Sequence, residues 1–285
     1  MPSSTLQHQL HRCSINTATL GHRLPFEQTL ELIAHAGFGH IAPWRRDLQG
    51  RDLKQTRRQL RDSGLRVNAY CRSSYLTASS REGFAAALAD NRKAIEEAAE
   101  LQAECFVMVV GGLAEGSRDL AAARGQVSDG IGLLLEHARQ HAVPLALEPL
   151  HPMYAADRSC LSSLEQALDL CEALEPQGFH NLGVAIDAYH CWWDPKLAEQ
   201  IARAGSQRRI LGLHLSDWLV PTCDLLLDRG MMGDGVIDLR GLRHSVEAAG
   251  YRGAIEVEIF SRDNWWQREP GEVLKTCAQR LQQHC

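Results

Sequence analysis

Short apolar runs alternate with longer segments of helical period along this chain. The runs cover 13–16, 39–43, 65–70, 105–110, 143–147, 182–186, 210–215 and 254–259. Runs of this length, bounded by turn residues, read as buried strands of a parallel sheet. The intervening segments read as helices. Pro25 opens one through Ala36, and Gly37 closes it. A polar helix follows over 47–63, with Gly64 as its stop. Others are expected over 82–101, 117–141, 162–174, 195–204 and 238–249, and from about 270 toward 285. Ser162 stands as a cap with Glu165 in the capping-box place, and Asp238 caps the helix that Gly250 stops. Eight strand–helix units without a long linker predict an α/β protein, a single (β/α)8 TIM barrel filling 1–285. A doubly wound open sheet is the alternative. No GxGxxG follows the first strand, which disfavours its dinucleotide-binding form.

Four of the runs end in an ionisable residue. Val143 to Leu147 lead into Glu148, and Gly183 to Ile186 into Asp187, with His190 three positions on. Ile210 to Leu213 lead into His214, with Asp217 behind it, and Ala254 to Val257 into Glu258. A carboxylate at the end of a buried strand is costly unless it is paired or binds a metal. Any one of the four is accounted for by an arginine in a loop. All four together point to one shared site, because a barrel gathers its chemistry at the C-terminal ends of its strands. Three carboxylates and one imidazole suit a divalent ion with open positions, Mn²⁺, Mg²⁺ or Co²⁺, more than a closed structural Zn²⁺. Glu256 is expected on the opposite face of its strand and outside the site.

Around this set, His151, Arg158, Arg229 and Asp217 lie on loops at the same rim. His151 is a candidate hydrogen-bonding partner of a substrate. The two arginines can hold a hydroxyl, carboxylate or phosphate. Asp217 can orient His214 or serve a turn. Trp192, Trp193 and Trp218 are candidate pocket walls. Asn16, Trp44, Tyr70 and Arg72 sit near early strand ends.

Charge and composition narrow the partners. A net charge of −5 argues against nucleic-acid binding by phosphate neutralisation. Nine scattered cysteines without a CxxC pair suggest a reduced intracellular protein. Residues 1–10 lack an apolar signal core, and no run approaches the ~18 apolar residues of a membrane span. A cytoplasmic location away from membranes is expected.

The motifs Leu-Glu-Pro-Leu (147–150), Ile-Asp-Ala-Tyr-His (186–190), His-Leu-Ser-Asp (214–217), Gly-Asp-Gly-Val-Ile-Asp (233–238) and Val-Glu-Ile-Phe (257–260) appear in that order. Together they resemble the sugar phosphate isomerase/epimerase superfamily of xylose isomerase-like barrels. Gly-Leu-Arg-Val (64–67) with Cys71-Arg72 extends the resemblance into the first half. The resemblance implies Glu148, Asp187, His214 and Glu258 as metal ligands. It implies Glu148 and Glu258 as the catalytic bases and His190 as a substrate contact. The implied activity is isomerisation or epimerisation of a keto sugar or related polyol, by proton abstraction next to a carbonyl polarised by a divalent metal, foremost Mn²⁺, with Zn²⁺ also possible. A metal-dependent lyase or dehydratase on a keto sugar, inosose or dehydroshikimate-like substrate is the alternative. A homo-oligomer, dimer or tetramer, is implied too. Endonuclease IV shares the barrel type but adds histidines on early strands, and 65–70 and 105–110 bring none. A non-catalytic barrel acting as a partner subunit is the remaining reading.

Overall fold

A computed structural model of the chain describes residues 6, 9–179 and 181–285. The expected polar lead over 1–10 falls largely outside them. Eight parallel strands run, in barrel order, Cys13–Asn16, His40–Ala42, Arg66–Val67, Phe106–Met108, Leu145–Leu147, Leu182–Asp187, Ile210–Leu215 and Ile255–Val257. The first pairs with the eighth, Cys13 against Ile255. The third and fourth close the ring through Tyr70: its N–H donates to the Cys105 carbonyl, and its carbonyl accepts from Val107 N. The protein is therefore a (β/α)8 barrel, as the alternation predicts. The open-sheet alternative fails at this seam. Among the described residues no helix is long and apolar enough to cross a membrane.

Side-chain parity organises everything inside. Successive strand residues face opposite sides of the sheet. Ile15, Ile41, Phe106, Leu145, Leu147, Val184, Ile186, Leu213, Ile255 and Val257 point outward into the layer beneath the helices. The inward positions are small, with Ala42, Ala69, Cys71, Cys105, Val107, Ala146 and Ala185 forming a separate cluster. Small inward residues leave room for polar ones among them: Ser14, Asn16, Asn68, His214 and Glu256, all buried.

Two local expectations need correction. The helix predicted over 47–63 is a 3-10 turn at Arg45–Leu48 followed by a helix at Leu53–Ser63. Asp52 starts that helix by accepting from the Lys54 and Gln55 N–H groups. The cap of the helix Leu164–Leu174 is Ser163, not Ser162: its hydroxyl accepts from Gln166 N, and Gln166 reaches back to Ser162 N. Adjacent serines offer the same signature one residue apart, so sequence does not separate them. All nine cysteines are unpaired, and all but Cys223 are buried.

Candidate active site

Strands five to eight are consecutive in the barrel, and each ends in one member of the acidic set. Glu148 and Glu258 lie just past their strands but stay laddered, with Glu148 N donating to Met108 O and Glu258 N to Leu215 O, both at 3.0 Å. Asp187 and His214 are register partners. Because all four share inward parity, one oxygen or ring nitrogen from each of Glu148, Asp187, His214 and Glu258 falls within 4.8 Å of the others. The four side chains are buried.

Glu148 Oε1 lies 2.7 Å from His214 Nδ1. Asp187 Oδ1 accepts from Tyr189 N at 2.8 Å, capping the short helix Ala188–Cys191, and Oδ2 accepts from Arg229 Nη1 at 2.9 Å. The same Nη1 reaches Glu258 Oε2 at 3.1 Å. Arg229 is 3% exposed and lies between the Tyr189 and Phe260 rings, 4.6 and 4.7 Å from their centroids. Burial raises the Glu258 pKa, which Arg229 pulls back and Glu148 raises again, to about 8. Burial also opposes ionisation of Asp187, but the Arg229 guanidinium beside it more than offsets this, and its pKa falls. For His214 burial works against charge, yet Glu256, Glu148 and Glu258 hold its pKa well above the ordinary imidazole value. Three carboxylates against one imidazole in a buried space form an acceptor-rich donor set that fits a divalent cation.

Glu256 must be moved into this site. Residues two apart on a strand share a face, so Glu256 and Glu258 both point inward. Glu256 is fully buried and accepts from Asn16 Nδ2 at 2.8 Å and Asn68 Nδ2 at 2.6 Å. Its Oε2 stands 3.8 Å from His214 Nε2. Asn16 Nδ2 also donates to Glu258 at 3.0 Å, and Asn16 Oδ1 accepts from Trp44 Nε1 at 2.8 Å. Ser14 donates to Asn68 at 2.5 Å and completes the network beneath the acidic set. Parity alone marks Ser14, Asn16, Glu256 and Glu258 as inward-facing.

A cavity of about 230 Å³ opens above the set. His190, Arg158 and Arg229 line it, as do Trp44 and Arg72 from the early strands. Tyr154, Phe260 and Trp266 add aromatic wall. Burial pushes the His190 pKa down to about 3 against the pull of Asp187, so the ring is neutral. Its Nε2 lies 3.0 Å from Arg229 Nη2 and its Nδ1 3.3 Å from His151 N. A neutral ring accepts at only one nitrogen, so only one of these approaches is a hydrogen bond.

Other expected residues lie behind this wall. His151 stacks on Trp218, centroids 5.2 Å apart, and its Nδ1 accepts from Met153 N. Trp192 packs on Trp218, and Trp193 donates to the His190 carbonyl at 2.8 Å. These tryptophans buttress the rim instead of facing the cavity. Tyr70 donates to Glu97 on the barrel flank. Asp217 does not reach His214. Its Oδ1 accepts from Trp218 N and Ile237 N, and its Oδ2 from Gly233 N, closing the loop that carries Arg229. A larger depression of about 870 Å³ lies on the flank around Arg45, Asp90 and Glu97. Arg45 there is already bonded to both acids, and Glu148, Asp187, His214 and Glu258 do not line it.

Comparison with known proteins adds context. A family model described as a xylose isomerase-like TIM barrel matches residues 30–282. The inosose isomerase of Halalkalibacterium halodurans is 28% identical over 146 residues, 50% of this chain and 48% of that protein. The match thus spans about half the length of that curated relative. A Sinorhizobium meliloti 1021 protein of known structure is 52% identical, with a TM-score of 0.94, covering 97% of this chain and 99% of its own. The structure of the IOLI protein with a bound zinc atom superposes with a TM-score of 0.79 at 18% identity, over 96% of this chain and 99% of that one. At that identity the likeness speaks for the fold alone.

Proposed function

The chain belongs to the xylose isomerase-like TIM barrel family, and from that premise we propose that it is a divalent-metal-dependent isomerase or epimerase of a keto sugar or related polyol. The observation that carries this reading is the convergence of Glu148, Asp187, His214 and Glu258 at one buried point beneath the cavity. The inosose isomerase match supports the sugar class. Those four residues would hold the ion, Mn²⁺ foremost, with Mg²⁺, Co²⁺ or Zn²⁺ as alternatives. A divalent ion there supplies Lewis acidity that makes a carbon-bound proton beside a carbonyl more acidic.

The chain's own groups do the rest. Glu148 and Glu258 end strands five and eight, with strands six and seven between them, so they approach a substrate from different sides. One takes the proton and the other, or the same one, returns it. Return to the opposite face epimerises; return to the neighbouring carbon isomerises. Arg229 and the neutral His190 hold substrate oxygens in the cavity.

Solvent deuterium incorporation into a panel of keto sugars and inososes, with added Mn²⁺, tests this reading. Exchange at a carbon beside the carbonyl is expected. Glu148→Gln and Glu258→Gln should each lower turnover by at least ~10² while retaining the fold. Near wild-type turnover in both variants would refute carboxylate proton transfer.

A further inference from the structure

The cavity carries more positive charge than its own acids balance. Four arginines line it: Arg46, Arg72, Arg158 and Arg229. Arg229 is committed to Asp187 and Glu258. Arg229 and a divalent ion would together offset three of the four negative charges of Glu148, Asp187, Glu256 and Glu258. Of the other three, Arg46 and Arg72 have no acidic partner among the described residues, and Arg158 meets only the exposed Asp157.

Their surroundings differ from those of ordinary surface arginines. Arg72 is half-buried, with its guanidinium 5.0 Å from the Tyr75 ring centroid and 5.8 Å from that of Trp44. Among the described residues no carboxylate pairs with it. Arg158 lies 5.6 Å from the Tyr154 ring, and its nearest acid is the adjacent, exposed Asp157, 3.9 Å from Nε. Arg46 is exposed at the rim, also without an acidic partner among the described residues. By contrast Arg45, next in sequence, is bonded to Asp90 and Glu97. A guanidinium resting on an aromatic face keeps its N–H edge for a planar anion. Field lines in a low-dielectric cleft concentrate such unmatched charge toward a ligand.

We propose that the substrate is a keto sugar acid, whose carboxylate is held by Arg72 and Arg158 in the cavity wall, with Arg46 steering it from the rim. This rests on the proton-transfer reading above and narrows its substrate class. The forked N–H edges match a two-oxygen planar carboxylate. The cavity, about 230 Å³ against roughly 300–1,000 Å³ for drug-sized ligand sites, leaves little room for a phosphate ester.

Calorimetric titration of the Mn²⁺-incubated protein with gluconate, glucitol and glucitol 6-phosphate tests the proposal without turnover. The three share a six-carbon chain; gluconate carries a terminal carboxylate, glucitol 6-phosphate a terminal phosphate, and glucitol neither. Gluconate should bind at least tenfold more tightly than glucitol, and its affinity should fall as NaCl is raised. Arg72→Gln and Arg158→Gln should each weaken gluconate binding tenfold or more and shift glucitol affinity less than threefold, with Mn²⁺ content unchanged. Equal binding of acid and polyol, no measurable gluconate binding, or variants that leave gluconate affinity intact would overturn the proposal. Preference for the phosphate ester, lost in the variants, would overturn the carboxylate assignment. Failure of the proton-transfer reading shows separately, as no deuterium entering any keto sugar or keto sugar acid.

Discussion

Arg209→Met is the sharpest stability test, because it separates what holds the barrel together from what acts in it. Arg209 is 1% exposed, between the helix Leu197–Ser206 and strand seven. Its Nη1 donates to the Leu182 carbonyl and its Nη2 to the Glu175 carbonyl, both at 2.7 Å. Nη1 also lies 3.4 Å from the Glu175 carboxylate. That carboxylate is fully buried and accepts from Asn181 N, Leu182 N and Arg139 Nη2. Methionine fills the volume of the arginine stem but donates nothing. Two buried carbonyls then lose charged donors, at about 1–3 kcal/mol each. Glu175 keeps Arg139 and two backbone N–H groups, which limits the further cost. The total is about 3–5 kcal/mol, the range for breaking a buried pair from one side. For a chain of this size that lowers the melting temperature by on the order of 10 °C. Urea denaturation followed by circular dichroism, with divalent-ion titration of the folded variant, measures both halves. Leu182 and Arg209 sit at the N-terminal ends of strands six and seven, opposite the acidic set. Ion affinity should therefore be unchanged. A loss below about 1 kcal/mol, or a fully folded variant that no longer binds the ion, would refute this partition.

Other expectations follow from the same geometry. Asp187→Asn and His214→Ala should each strongly reduce divalent-ion affinity, read by metal content after dialysis; full occupancy in either would remove that residue from the ligand set. Glu256→Gln leaves His214 without its facing carboxylate and sets an amide NH₂ against the Asn16 and Asn68 donors. Ion affinity should drop about 10–100-fold, and a change under twofold would leave Glu256 a purely structural role. Burial lowers the His40 pKa from 6.5 to about 4, with Arg66 adding to the effect. Between those values the unfolded chain binds the proton that the folded chain refuses. His40 should therefore cost stability progressively as pH falls from 6.5 to 4, and His40→Gln should flatten that part of the stability–pH curve. An unchanged slope in the variant would exclude His40 as its source.

The barrel was legible because its signal is repetition: eight apolar runs punctuated by helix-period segments leave few other architectures. The acidic set was legible for a related reason, since each member follows an apolar run. What escaped was orientation. Glu256 faces inward with Glu258, as the period-two rule requires, and not to the opposite side of the strand. Asp217 resembled an orienting acid because it lies near His214 in sequence, but its partners Gly233 and Ile237 lie across a loop whose path no local pattern encodes. The tryptophans after strand ends six and seven were plausible walls by position. Trp266 and Phe260 took that place because the eighth loop folds back over the barrel mouth, with Trp266 donating to the Ala18 carbonyl.

The Asp217 clasp makes the seventh loop a cassette. One carboxylate gathers N–H groups from Trp218, Gly233 and Ile237, so both ends of the loop are fastened at a single point. Arg229, delivered between those ends, touches the acidic set, yet the stretch around it makes no strand of the barrel. Within that clasp Arg229 reaches Asp187 and Glu258, and Met231 and Met232 are buried in the core, so the loop is anchored at its middle as well as at its ends. A change at the Asp217 clasp is therefore carried through the loop to the acids at the strand ends.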